Sequence, residues 1–136
     1  MPSRSRFVLD TSAILALRSN ESGARRVEAI LRSARSGRSH AYLSFMTRME
    51  LLYRIARDEG QEQAEMAVRL VDATGVQWVA CEPEILEEAA RIKAAGGLSV
   101  ADAWIAATAV ARDAVLVHKD PEFNRAGHVR QEQLRR

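Results

Sequence analysis

Four acidic residues, Asp10, Glu50, Asp102 and Asp120, stand where a folded chain could bring them together. Asp10 directly follows the apolar triplet Phe7-Val8-Leu9, and Asp120 comes three residues after Val115-Leu116-Val117. Ligands of parallel sheets bind beyond the carboxyl ends of the strands, so both acids are expected at one rim. Asp102 follows Ser99, where a helical pattern begins. Advancing about 100° per residue from Asp102, Ile105, Ala106, Ala109 and Val110 fall at about −60°, +40°, −20° and +80°. The carboxylate therefore lies within the stripe that should face the core, where it is costly unless compensated. Glu50 borders an apolar arc of Phe45, Met46, Met49, Leu52, Tyr53 and Ala56, which is expected to be buried. Each acid also has an ordinary structural reading. Asp10 fits a helix cap, Asp102 a capping box with Ser99, Glu50 an i, i+4 ion pair with Arg54, and Asp120-Pro121 a turn.

Taken together, the four acids raise an electrostatic problem. Two carboxylates ~4 Å apart repel by ~4 kcal/mol at an effective dielectric near 20. Four cannot stay ionised in one place without a cation or retained protons. Cys81 is the only cysteine, and the histidines, His40, His118 and His128, are scattered. The available donors are thus carboxylate oxygens, which suit Mg²⁺, with Mn²⁺ as a substitute. Such a centre lowers the pKa of a bound water and neutralises charge on a phosphoryl oxygen, so phosphodiester hydrolysis is the natural reaction.

Apolar periodicity supplies the elements that must position these acids. Strands are expected at 6–9, 41–44, 76–80 and 114–117, with a last short one near 128–130. Helices are expected at 12–18, 22–36, 47–59, 61–73, 83–95 and 99–112. Strand and helix in alternation imply a three-layer α/β/α fold with a mostly parallel central sheet. The 136 residues suit a single domain over 1–136. Hydrophobic residues make up 47% and charged residues 28%, which excludes a disordered chain. A lone cysteine excludes an internal disulfide, and no apolar run is long enough for a membrane span. The basic amino end, Met1 to Arg6, leads into too short an apolar stretch for a signal peptide, so the expected compartment is the cytoplasm.

The net charge of +2 is unevenly spread, with a balance of +5 over residues 1–40 and −3 over the remainder. Arginine outnumbers lysine 18 to 2, which permits polyanion binding without requiring it. The segment from Arg25 to Arg38 is basic on part of its surface, as an RNA-facing or simply solvated helix would be. Trp104 with Val100, Ala107 and Ala111 forms a second apolar stripe away from Asp102. That stripe fits either core packing or a homodimer interface.

The motifs Asp10-Thr11-Ser12-Ala13 after a strand, Met49-Glu50-Leu51, Leu98-Ser99-Val100-Ala101-Asp102-Ala103, and Asp120-x-x-Phe123 resemble, in order and separation, those of the PIN domain. The compact form is similar to the VapC ribonuclease toxins of bacterial toxin–antitoxin pairs. The resemblance implies a metal-dependent endoribonuclease of PIN-like fold, neutralised by a cognate antitoxin and usually dimeric. It implies Asp10 and Asp102 as principal metal ligands, with Glu50 and Asp120 completing the pocket. Ser12 matches a polar position close to the site, and Glu122 a position of minor role. His118 departs from the family's usual Thr or Ser. It could replace the hydroxyl hydrogen bond, contact an RNA phosphate, or sit partly exposed at a strand end.

Rival readings fare worse. A haloacid-dehalogenase-like phosphatase needs a second acid two residues after the first, where this chain has Ser12, and a receiver domain needs an acidic pair at the first strand. A non-catalytic PIN-like binding module for RNA or a protein partner is the alternative from a different class.

Overall fold

Successive residues of a strand point to opposite faces of its sheet, and in this chain both faces are apolar. Val8, Tyr42 and Leu116 are buried in one core with Ile85, Ile92 and Ile105. Their neighbours Leu9, Leu43 and Val117 are buried in a second core with Ile14, Ile30 and Leu51. A sheet covered on both sides is the situation of parallel strands joined by helical crossovers.

A computed structural model describes residues 5–136 and has this architecture. Residues 1–4, which belong to the basic amino end, lie outside the described residues. The strands are β1 (Ser5–Leu9), β2 (Ser39–Ser44), β3 (Gln77–Val79), β4 (Val115–His118) and β5 (Gln131–Gln133). They form one sheet in the order β3-β2-β1-β4-β5, with every pairing parallel. The helices are α1 (Thr11–Arg18), α2 (Ala24–Arg35), α3 (Phe45–Glu59), α4 (Gln61–Asp72), α5 (Pro83–Ala95) and α6 (Val100–Ala111). Helices α1 to α4 supply the core that holds Leu9, and α5 and α6 the core that holds Val8. The result is the expected three-layer α/β/α fold. Among the described residues, no helix is long and apolar enough to cross a membrane.

Local chemistry sets the joints. Asp10, Ser44 and Ser99 each accept a backbone N–H at a helix start, from Ser12, Met46 and Asp102 respectively. Gly97 has φ +95°, and a Cβ there would come within 2.8 Å of the Arg125 side chain. Only glycine lets the loop before α6 pack so closely on the 3₁₀ turn Pro121–Arg125, which follows Asp120. That close approach brings the start of α6 to the end of β4.

Three expectations are corrected. The last strand is Gln131–Gln133, not 128–130. Val129 is a buried loop residue, and Leu116 N–H donates to Arg130 O (2.8 Å) as the chain enters the sheet. On α3 the buried face is Thr47, Leu51 and Ile55, whereas Met49 and Tyr53 of the expected arc are 52% and 48% exposed. The stripe around Trp104 is divided. Ala107 is wholly buried, Val100 is 58% exposed, and Trp104 packs edge-on against Phe45 with ring centres 5.0 Å apart.

Candidate active site

Strands β1 and β4 are neighbours in register, Leu9 opposite Val117, and Asp10 N–H donates to Val117 O across 2.9 Å. Chain direction diverges beyond this pair, β1 turning into α1 and β4 into the loop that carries Asp120. This is the switch point at which an open parallel sheet leaves a crevice.

Asp10 is 4% exposed. Its Oδ2 accepts from both the backbone N–H (3.0 Å) and the hydroxyl of Ser12. The Ser12 hydroxyl in turn accepts from Lys119 N–H at 2.9 Å, so it links the end of β1 to the end of β4. Asp10 is therefore a helix cap and a lining residue of the crevice at once. Burial pushes its carboxyl up to about 6 against the pull of the Ser12 hydrogen bonds, and the charges of Glu50 and Asp120 add to the rise.

Asp102 lies one turn into α6. Ser99 Oγ accepts from Asp102 N–H (3.1 Å), but among the described residues nothing donates to the Asp102 carboxylate. Only half of the capping box forms, and the acid is left facing the other carboxylates. Desolvation first, then the charges of Asp10, Asp120, Glu50 and Glu122, raise its pKa to about 7.

Glu50 is held from the far side of the crevice. Thr11 donates to Glu50 Oε1 at 2.7 Å, and the wholly buried Thr47 hydroxyl lies 3.0 Å from Thr11 Oγ1. Because the Thr11 proton goes to Glu50, Thr47 is the donor to Thr11. The expected ion pair with Arg54 is absent among the described residues.

Asp120 Oδ1 accepts from Glu122 N–H (3.0 Å) and caps the 3₁₀ turn. Beneath it, His118 is wholly buried, neither partly exposed nor within reach of RNA. His118 Nδ1 accepts from Asp120 N–H at 3.2 Å, and Nε2 donates to Gln131 Oε1 at 2.9 Å. Burial lowers its pKa, which keeps the ring neutral. Of the three readings open for His118, it thus takes the hydrogen-bonding one, holding the chain under Asp120.

Asp10, Glu50, Asp102 and Asp120 line a single cleft of about 370 Å³, together with Thr11, Ser12, Arg54 and Lys119. Within the acidic group, Asp102, Asp120 and Glu122 each offer a carboxylate oxygen, and the three oxygens lie within 4.8 Å of one another. Glu122, given a minor role from the sequence, belongs to this tightest set, and Asp10 and Glu50 stand around it. Thr47 and the Lys119 amide escaped the sequence analysis, and Thr11 and Arg54 entered it only as a motif residue and as an ion-pair partner. Thr47 carried no signal, because it lies off the apolar arc expected to be buried.

The family model of the PIN domain matches residues 7–129. The chain belongs to the PIN domain family. The fold of this PIN domain is similar to solved structures that carry the same architecture. One is VapBC2 from Rickettsia felis, bound to a DNA fragment from their promoter, with a TM-score of 0.78 and 16% identity over 96% of this chain and 99% of that one. A second is VapBC-1 from nontypeable Haemophilus influenzae, with a TM-score of 0.72 and 23% identity over 94% and 97%. A third is VapC20 of Mycobacterium tuberculosis, described as a sarcin-ricin loop cleaving toxin, with a TM-score of 0.67 and 18% identity over 89% and 95%. No curated protein matches the chain by sequence.

Proposed function

We propose that this PIN domain is a divalent-metal-dependent endoribonuclease, the toxin of a toxin–antitoxin pair, neutralised by a cognate antitoxin protein. The observation that carries the proposal is the convergence of Asp10, Glu50, Asp102 and Asp120 on one cleft. The toxin reading is supported by the solved structures of similar fold, which include VapBC complexes and an RNA-cleaving VapC.

The donor set fits Mg²⁺ or Mn²⁺. It is all oxygen, three of its atoms lie within 4.8 Å of one another, and Asp10 and Asp102 carry raised pKa values that a cation would relieve. When bound, the cation supplies a lowered water pKa and neutralises charge on the phosphoryl group. Asp102, Asp120 and Asp10 are the residues that would hold it, with Glu122, the third member of the tightest oxygen set, and Glu50 beside them. Ser12 fixes Asp10, and His118 fixes the backbone of Asp120.

Thr11 occupies one oxygen of Glu50 and leaves Oε2 to orient a water and accept its proton. In the hydrolysis the water oxygen bonds to phosphorus as the bond to the leaving ribose oxygen breaks, and that oxygen leaves with a proton from solvent. We place the activity in the cytoplasm. We also propose a homodimer through the face of Leu86, Val100 and Trp104, where the first two are 49% and 58% exposed. Sedimentation of Trp104→Glu tests it, and an undisturbed dimer removes the idea.

The decisive assay is cleavage of total cellular RNA with Mg²⁺ or Mn²⁺, run beside Asp10→Ala. Cleavage that needs the metal and is lost in the variant supports the proposal. RNA that binds equally with and without Mg²⁺ and is never cut points instead to the non-catalytic binding module.

A further inference from the structure

We propose that Arg54 is the phosphate-binding residue of the cleft, the side chain that grips the RNA backbone beside the acids. This inference rests on the reading of the cleft as an RNA site. Arg54 lies on α3 one turn beyond Glu50, half-buried, and lines the same cleft as the four acids. At that spacing a glutamate and an arginine ordinarily pair. Here Glu50 Oε1 is taken by Thr11, and Arg54 makes no ion pair or hydrogen bond with any described residue. Its neighbours on the same helix are committed elsewhere, Arg48 to Asp72 and Arg57 to Asp58.

The other cation of the cleft is already spoken for. Lys119 Nζ donates to Glu21 Oε1 at 3.2 Å and to Ser22 O at 3.0 Å, and its side chain is only 17% exposed. Arg54 is thus the one cationic side chain lining the cleft, among the described residues, whose donors are unused.

Chemistry supplies the ligand. A cleft of carboxylates repels a polyanion, and a cation held by those carboxylates serves the phosphate being cut. An adjacent phosphate, or the charge that builds on the scissile group, needs a donor of its own. A guanidinium offers two parallel N–H groups that match two phosphate oxygens, and it remains charged at any working pH.

The test uses a fluorescein-labelled single-stranded RNA 12-mer and the Asp102→Asn protein, which stops turnover, with and without Arg54→Ala. Affinity is expected to fall roughly tenfold, and the slope of log K against log salt to become shallower by about 0.7, the loss of one phosphate contact on a single strand. Arg54→Lys should regain the slope and part of the affinity, and Arg57→Ala, on the exposed side of the helix, should change neither. In the otherwise unaltered protein, Arg54→Ala should raise KM more than it lowers kcat and leave Mn²⁺ affinity within twofold. Unchanged affinity and slope, or no RNA binding by either protein, would overturn the proposal. So would a loss of Mn²⁺ affinity as large as the loss for RNA, because Arg54 would then act only on the acids. Arg54-dependent binding by a protein that never cuts RNA would sink the hydrolysis and leave this inference standing. Metal-dependent cleavage indifferent to Arg54 would do the reverse.

Discussion

The Thr11 hydroxyl donates to Glu50 Oε1 at 2.7 Å, fastening the first residue of α1 to the middle of α3 across the acidic cleft. Without that bond, Glu50 is free to swing toward Arg54, four residues along its own helix. Thr11→Val keeps the shape and removes the donor. Cleavage is expected to fall ten- to a hundredfold, the usual range for a partner that orients a ligating group. Stability is expected to drop by about 1–3 kcal/mol, because Thr47 is left with an unpaired buried hydroxyl. Thr11→Ser should retain most of the activity. Rate assays with thermal unfolding of the three proteins check both effects.

Ser12 carries a second linkage, between the Asp10 carboxylate and the Lys119 amide. Ser12→Ala removes a hydrogen bond that lowers the Asp10 pKa, so that carboxyl should hold its proton more tightly. Mn²⁺ affinity at pH 6 should weaken about tenfold, and less at pH 8, where Asp10 is ionised in either protein. Calorimetric titration at the two pH values measures the difference.

Asp10 and Asp102 have folded pKa values of about 6 and about 7, above the ordinary 3.8. Between these limits the folded protein holds protons that the unfolded chain has released. Metal-free stability therefore falls as pH rises. The contribution is fully present below 3.8 and lost as pH passes through 6 and then 7. The loss should be of order 3–6 kcal/mol, Asp102 counting for less than its full shift because solvent screens it. Asp102→Asn should flatten the upper part of the fall, and Mn²⁺ should reverse it above pH 7. Denaturant midpoints from pH 4 to pH 8 for the two proteins, with and without Mn²⁺, test this.

His118→Ala should cost about 2–4 kcal/mol. It empties a wholly buried position packed against Phe123 and leaves Gln131 Oε1 and Asp120 N–H without their partner. The salt dependence of RNA binding should be unchanged, since His118 touches no solvent. A shallower salt slope would show that it meets phosphate after all.

Most of the frame was legible because its signals are collective. The runs Phe7-Val8-Leu9 and Val115-Leu116-Val117 are apolar on both faces, so a doubly covered parallel sheet followed, with Asp10 and Asp120 at its rim. What stayed hidden depends on single partners from distant segments. Strand β5 is the polar triplet Gln131-Glu132-Gln133, which earns its place by pairing with β4 and not by any hydrophobic pattern. The face of α3 was misjudged because Met49 and Tyr53 count as apolar and Thr47 as polar. In the fold Thr47 is buried to serve Thr11, and the two larger side chains are exposed. Glu50 looked like half of an ion pair with Arg54, since nothing local reveals that Thr11 arrives from another helix. The three readings of His118 stayed open because its partner Gln131 lies thirteen residues on, in a strand the hydrophobic pattern does not mark.

The claim on which the rest stands is that these acids grip one kind of cation together. Anomalous diffraction at the manganese edge, from crystals soaked in Mn²⁺, tests it most directly. The expected result is one or two peaks inside the cleft, bonded to carboxylate oxygens of Asp102 and Asp120 and lost in Asp102→Asn. A cleft without a peak at saturating Mn²⁺, or a peak bound elsewhere on the surface, would contradict the account.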